Sequence, residues 1–245
     1  MRKRIIPFML LASLLLSISA SAVESTESEV TAAKTITFRG FDWLSTRADV
    51  EAALAVDGIS DGAWMSDRHA IDWPEGDYEW AGRPRGETSR LKEAGWSAMY
   101  SGVTAGGYAP SYTYAYFMYP VLPDGTLQVS EGDELLYLGI YEYDKNDFEN
   151  LEAVFNDLTA KLSSLYGECT VKNDEDFNRN IWTDAEGNKA ILAYYTSNKY
   201  PRVKLAYECG AANDMLGNLQ SAIDTIHAAA QESERLANSN NTDGL

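Results

Sequence analysis

Residues 135–166 read LLYLGIYEYDKNDFENLEAVFNDLTAKLSSLY and hold the two most regular segments of the chain, one directly after the other. Leu135–Tyr143 alternates with a period of two, which predicts a strand. One face of this strand is expected to carry aliphatic side chains and the other tyrosines, namely Leu136, Leu138 and Ile140 against Tyr137, Tyr141 and Tyr143. The period then changes to that of a helix.

The predicted helix is Asp147–Tyr166, in which apolar residues recur every three or four positions. They form one narrow stripe that consists of Phe148, Leu151, Phe155, Leu158, Leu162 and Leu165. Asn146, with Glu149 three residues later, is the expected N-cap, and Gly167 is the expected stop. A stripe of this kind packs against a sheet and requires no cofactor.

Six more strands are predicted from alternation or from short apolar runs between turn residues. They are Thr35–Arg39, Trp96–Thr104, Tyr112–Leu122, Asn180–Thr183, Lys189–Thr196 and Arg202–Glu208. A first helix follows Thr46, where Asp49 completes a capping-box pattern. A last helix is expected over Asp214–Arg235, with apolar residues Leu216, Leu219, Ile223 and Ile226.

The order of these elements indicates an α-β-β-β unit that is used twice. We therefore predict an α+β fold, with an antiparallel sheet, helices on one face and two similar halves. The expected segments are a signal peptide (1–22), a flexible leader (23–34), a first half with a long Trp-rich loop (35–143), a second half with the C-terminal helix (144–235) and a disordered tail (236–245).

The N-terminus has the three parts of a secretory signal peptide. A basic start at 2–4 precedes the apolar run Ile5–Ile18, and Ala20–Ala22 is a small-residue cleavage site. A membrane anchor is the alternative, but a spanning helix needs about 20 apolar residues, and Pro7 and two serines interrupt this shorter run. We expect a soluble, secreted or periplasmic protein without a membrane span.

The charge excludes some classes of partner. Removal of residues 1–22 changes the formal net charge from −17 to −20, because three basic residues and no acidic ones are lost. Charge of this sign repels phosphate backbones, so nucleic acid is not an expected partner.

Cys169 and Cys209 are the two cysteines. An even count in an exported chain favours a disulfide between them. A metal or catalytic thiol site is the alternative, but two cysteines without partner histidines make a poor zinc site.

Candidate chemistry is sparse. Nucleophile-elbow, zinc-protease, P-loop and dinucleotide fingerprints are absent from the sequence. His69, between Asp67 and Asp72, could serve a metal or catalytic site or simply belong to loop structure. A carboxylate pair for glycan hydrolysis could come from Asp72, Glu75, Asp77 and Glu79. No cofactor and no metal site are predicted.

Aromatic residues give the strongest functional indication. The candidate binding residues are Trp64, Trp73, Trp80, Tyr112, Tyr114 and Tyr116. Tyr and Trp combine a large apolar ring with a polar tip, which suits protein interfaces and sugar stacking. The alternative is packing, since tyrosine alternates on half-buried strands and tryptophan can fix a loop to the core.

The segment Phe38–Val50, FRGFDWLSTRADV, resembles the opening of many uncharacterised secreted bacterial proteins. Leu165-Tyr-Gly-Glu168, followed by Trp182 and a hairpin, is similar to the closing part of the same group. The repeated helix-then-strands order also looks like the β-lactamase inhibitor protein class and its outer-membrane-assembly lipoprotein relatives. That resemblance implies binding of other proteins on the open face of a curved sheet.

From these observations we expect a secreted, non-enzymatic binding module that uses a Tyr/Trp-rich surface. Its expected partner is another extracellular protein or a glycan. The alternative is an extracellular hydrolase of glycans or cell wall that uses carboxylates of the 72–79 loop.

Overall fold

The computed structural model describes residues 34–61, 95–128, 130, 132–173, 177–196 and 200–239. All of these residues belong to one compact unit, Ala33–Leu245. The described helices are α1 (Arg47–Val56), α2 (Leu151–Tyr166) and α3 (Ala212–Ser239). The described strands are β1 (Ser60–Asp61), β2 (Gly95–Ser101), β3 (Tyr112–Met118), β4 (Leu135–Asp144), β5 (Thr170–Asn173), β6 (Phe177–Thr183), β7 (Lys189–Tyr195) and β8 (Arg202–Glu208).

These strands form one sheet in the order β1-β2-β3-β4-β8-β7-β6-β5. Every neighbouring pair is antiparallel. The predicted α+β class and the antiparallel sheet are therefore confirmed. A helix followed by a meander of strands occurs twice, and the last strands of the two meanders, β4 and β8, pair at the centre of the sheet. The similarity of the two halves beyond this order stays a prediction.

The helices do not all lie on one face of the sheet. On β8, Val203 and Leu205 belong to one core cluster, which also contains the buried residues of α1 and α2, whereas Ala206 belongs to a second cluster. Leu216 and Leu219 of α3 pack in this second cluster. The prediction that all helices share one face is therefore wrong for α3. The physical reason is that the central strands carry apolar side chains on both faces, so both need cover.

A β-bulge near the start of β4 changes the face of the sheet to which the side chains point. Tyr116 of β3 pairs with Leu138, but the next residue, Phe117, pairs with Leu136, so Tyr137 is the extra residue. The predicted division of β4 between two faces is therefore wrong before the bulge. The first cluster contains Leu136 with Tyr141 and Tyr143, and the second contains Tyr137 with Leu138 and Ile140.

The two predicted helix starts had different outcomes. Thr46 caps α1 as predicted, because its Oγ1 accepts a hydrogen bond from Asp49 N at 3.2 Å. α2 begins four residues later than expected, and Asn150, not Asn146, is its cap, with Ala153 N donating to Asn150 Oδ1 at 2.9 Å. Asn146 instead donates its backbone N–H to Asp144 Oδ1 in the preceding turn.

Four other segments depart from the predicted elements. Leu165 is 49% exposed, so the apolar stripe of α2 ends before it. β5 was not predicted, because all its residues are exposed and give no apolar alternation. The helix α3 extends to Ser239, four residues into the expected tail. Thr35–Arg39 is not a strand, although Ile36 and Phe38 within it are buried.

The segment that contains Phe38 closes the first face over the centre of the sheet. Gly139 lies in the middle of β4, and a Cβ at this position would overlap the Phe38 ring. The rings of Tyr141 and Tyr207 flank Phe38, with centroids 5.3 and 6.3 Å away. Because the missing side chain of Gly139 makes the space for Phe38, the two residues form one packing unit.

The same segment is also bonded to the second half of the chain. Ile36 N donates to Asp184 Oδ2 at 2.9 Å, and Asp184 lies in the turn between β6 and β7. Asn188 Oδ1 in the same turn accepts a hydrogen bond from Gly210 N at 2.8 Å. Because Gly210 directly precedes α3, this bond connects the start of α3 to the turn. The chain before α1 is thus bonded to a turn that lies 148 residues later.

We expect Gly139→Ala to destabilise the protein by about 1–3 kcal/mol, because the added methyl group overpacks against Phe38. Gly217→Ala is the matched control, since a Cβ at this position in α3 meets nothing within 4 Å. This control should raise the free energy of unfolding by roughly 0.5–1 kcal/mol through helix propensity. Urea unfolding of both variants measures the difference, and equal effects would contradict the packing described.

Buried tyrosines on the first face should make stability depend on alkaline pH. Burial raises the pKa of Tyr141 to about 12 and also raises those of Tyr143 and Tyr207. A tyrosine in an unfolded chain has a pKa of about 10. The contribution of these buried tyrosines to the free energy of unfolding should therefore be fully present below that pH and be lost as the pH rises towards 12.

Urea unfolding between pH 8 and about 11.5 measures this loss, which is about 1.4 kcal/mol per pH unit for each such tyrosine above pH 10. Tyr141→Phe removes one of these titrating groups, so it should reduce the loss by about 1.4 kcal/mol per pH unit. A free energy of unfolding that stays constant to about pH 11.5 would contradict the burial of these tyrosines.

Candidate binding face

The sequence-predicted binding residues divide into two groups. Trp64, Trp73 and Trp80 lie outside the described residues, as do His69 and the carboxylates of 72–79. Tyr112, Tyr114 and Tyr116 lie on β3 and point to the second face of the sheet, where Tyr116 belongs to the core cluster and Tyr114 packs against it.

These three tyrosines form a row along β3. The rings of Tyr112 and Tyr114 are stacked, with centroids 6.1 Å apart and an interplanar angle of 22°. The rings of Tyr114 and Tyr116 are 6.4 Å apart and tilted, and Tyr116 meets the buried Tyr137 at 6.5 Å. The row therefore runs from the surface into the second core cluster.

Exposure along the row is graded. Tyr112 is 43% exposed, Tyr114 is half-buried and Tyr116 is only 8% exposed. The cause is α3, whose first turns pack in the same cluster as Tyr116. Burial, together with the nearby Glu142 and Tyr112, raises the pKa of Tyr114 to about 12. Tyr116 is thus a core residue, and of these three tyrosines Tyr112 and Tyr114 can contribute to a binding surface.

Residues that were not predicted extend this surface across the sheet. Tyr112 pairs with Glu142 of β4, and the Glu142 carboxylate binds Arg202 Nε of β8 at 3.0 Å. The Arg202 guanidinium lies 4.8 Å from the ring centroid of Tyr195 on β7. We call the set Tyr112, Tyr114, Glu142, Arg202, Tyr195 and Phe177 the aromatic–charged band.

Phe177 completes the band on β6. It pairs with Tyr195 in the sheet, and the two ring centroids are 6.2 Å apart. Arg179 lies over the Phe177 ring at 4.7 Å. Such contacts between guanidinium groups and aromatic rings contribute about 0.5–1 kcal/mol at exposed sites and more where the guanidinium is buried, as that of Arg179 is. The band therefore places aromatic and charged groups on five strands, β3, β4, β8, β7 and β6.

The band is suited to non-covalent contact. Its phenol groups, guanidinium and carboxylate can donate or accept hydrogen bonds, and its rings offer apolar area. Within the part of the chain that the structure describes, no group of three or more His, Cys, Asp and Glu side chains could hold a metal ion.

The two cysteines are free thiols, so the predicted disulfide is not formed in this structure. Cys169 is half-buried beside the first core cluster, whereas the buried Cys209 belongs to the second. These clusters lie on opposite faces of the sheet, which separates the two side chains. Burial raises the pKa of the Cys209 thiol, which disfavours the reactive thiolate.

The described helices include none that is both long enough and apolar enough to cross a membrane. No family model, no curated protein and no solved structure matches the chain. The resemblance to secreted bacterial proteins and to the β-lactamase inhibitor protein class therefore stays a prediction.

Alanine substitutions should separate the surface tyrosine from the core tyrosine on the same strand. Tyr116→Ala is expected to destabilise the protein by about 3–5 kcal/mol, because it leaves a cavity in the second core cluster. Tyr112→Ala should change the free energy of unfolding by less than about 1 kcal/mol. Urea unfolding of both variants tests this, and similar costs would contradict the graded burial along the row.

Proposed function

We propose that this chain is a secreted, non-enzymatic binding module that contacts another extracellular protein through the aromatic–charged band. The observation that carries the proposal is the exposed ring of Tyr112, stacked on Tyr114 and joined across the sheet to Glu142 and Arg202. Tyrosine, phenylalanine and arginine are enriched at protein interfaces, and ordered side chains lose little entropy on binding.

Secretion is proposed from the N-terminal sequence. Residues 1–22 combine a basic start, an apolar run and a small-residue cleavage site. The acidic composition of the remaining chain is compatible with a protein that stays in solution outside the cytoplasm.

A protein partner is favoured over a glycan by the charged groups beside the stacked rings of Tyr112 and Tyr114. The adjacent Glu142–Arg202 ion pair adds both signs of charge, which can complement the polar rim of a protein interface.

Site-specific photocrosslinking tests the proposal directly. A photoreactive phenylalanine analogue replaces Tyr112 in the full chain, which is expressed in its source cells. The matched control carries the same analogue at Leu165, which is 49% exposed and lies on α2 at the opposite face. We expect a protein adduct at position 112 and none at position 165.

Binding of the purified adduct partner then measures the contribution of the band. Tyr112→Ala should weaken the affinity by about tenfold or more, as expected for an interface anchor. Leu165→Ala should leave the affinity unchanged. Adducts at both positions, at position 165 alone or at neither would contradict the proposal. A glycan adduct at position 112 would also contradict it, because the partner would then be a glycan and not a protein.

A further inference from the structure

All charged side chains on strands β2–β8 lie on the second face of the sheet. They are Glu142, Asp144, Lys172, Arg179, Lys189, Arg202, Lys204 and Glu208. Side chains two residues apart on a strand share a face, and those of β8 alternate in step with Ala206 of the second core cluster. The strand register gives the others the same face. Most of these charges are basic, although the chain has 37 acidic and 20 basic residues, so positive charge is concentrated on this face.

Three of the basic side chains lie in one row across the sheet. Lys204 of β8 pairs with Ala193 of β7, which pairs in turn with Arg179 of β6. Arg179 then pairs with Lys172 of β5, at the edge of the sheet. We call Lys204, Arg179 and Lys172 the basic row. Lys172 is exposed and Lys204 is half-buried, so the row reaches the surface at both of its ends.

The basic row runs beside the aromatic–charged band. Glu142 of the band pairs with Lys204, and Phe177 lies two residues before Arg179 on the same strand. The neighbouring row of the sheet contains Arg202 and the rings of Tyr195 and Phe177. On β5–β8, the described residues of these two rows include four basic side chains and no acidic one. This part of the second face therefore combines positive charge with aromatic rings.

We propose that the basic row binds an acidic segment of the protein partner, an inference that rests on the function proposed above. The opposite charge of such a segment complements the row and guides its encounter with this face. Neighbouring strands are about 4.8 Å apart, so the row spans about 14 Å from β8 to β5, a length that about four extended residues can cover. The rings of Tyr195 and Phe177 offer apolar area to the uncharged side chains of the same segment.

Charge favours a short acidic segment of a protein over a long polyanion. A polyanion would extend beyond the row over a chain whose formal net charge is −17, and would be repelled there. At physiological salt, charges separated by more than about 8 Å are largely screened, so a short segment interacts mainly with the row itself. A second copy of this chain is disfavoured for the same reason as a polyanion, because both copies carry the same net charge.

Fluorescence anisotropy with a labelled peptide tests the proposal without the unidentified partner. The probe is a hexapeptide of alternating Glu and Tyr at about 0.15 M salt, and the control probe has Lys in place of Glu. Only the Glu probe should bind. Lys172→Glu should weaken its binding at least about fivefold, because the change replaces an attraction by a repulsion.

Lys34→Glu is the matched control for this charge change. Lys34 is exposed and lies two residues before Ile36, which packs in the first core cluster. Its variant should bind the Glu probe within about twofold of the wild type. Lys204→Glu is a second variant of the row that should weaken binding, and near-UV circular dichroism shows whether each variant keeps its core. Absent binding of the Glu probe, equal binding of both probes, or equal weakening by Lys34→Glu and Lys172→Glu would overturn the proposal.

The partner captured at position 112 separates this inference from the function on which it rests. If Tyr112→Ala weakens binding of that partner and Lys172→Glu does not, only the acidic segment is refuted. If the Glu probe binds as expected but no protein adduct forms at position 112, the proposed function is refuted and acid binding by the row stands. A sulfated glycan that displaces the Glu probe and binds more tightly would overturn the choice of a protein segment, as would self-association that Lys172→Glu abolishes.

Discussion

The structure depends on one packing contact, the ring of Phe38 over Gly139. Gly139 lies on β4, which is one of the two central strands, and its missing side chain is the space that the ring fills. Phe38 reaches this position on a segment that is also bonded to Asp184 in the turn between β6 and β7. One short stretch of chain therefore packs on the first half of the sheet and is anchored to the second.

The cover over each face determines which surfaces of the sheet remain exposed. The first face is closed by the N-terminal segment together with α1 and α2. The second face is covered by α3 where Tyr116, Leu138 and Ala206 lie, but cover decreases along β3 towards Tyr112. The aromatic–charged band occupies this less covered end, so the surface that we propose for binding follows from incomplete cover by α3.

Local sequence patterns predicted most helices and strands, but not how the strands pair or which side chains become neighbours. The stripe of α2 and the cap at Thr46 depend on residues three or four apart, so the sequence shows them directly. The bulge at Tyr137 moves side chains to the other face of the sheet. No pattern in the neighbouring sequence indicates it, because it arises from pairing with β3. The same limit applies to the band, since Glu142, Arg202 and Phe177 become neighbours only through the strand order.

We expect the two meanders to open as one cooperative unit, because the β4–β8 pairing and the segment from Ile36 to Phe38 join them. Native-state hydrogen exchange measures the free energy of opening for each strand. The slowest amides of β3 and β4 should open with the same free energy as those of β7 and β8. A second meander that opens at a distinctly lower free energy, independently of the first, would contradict it.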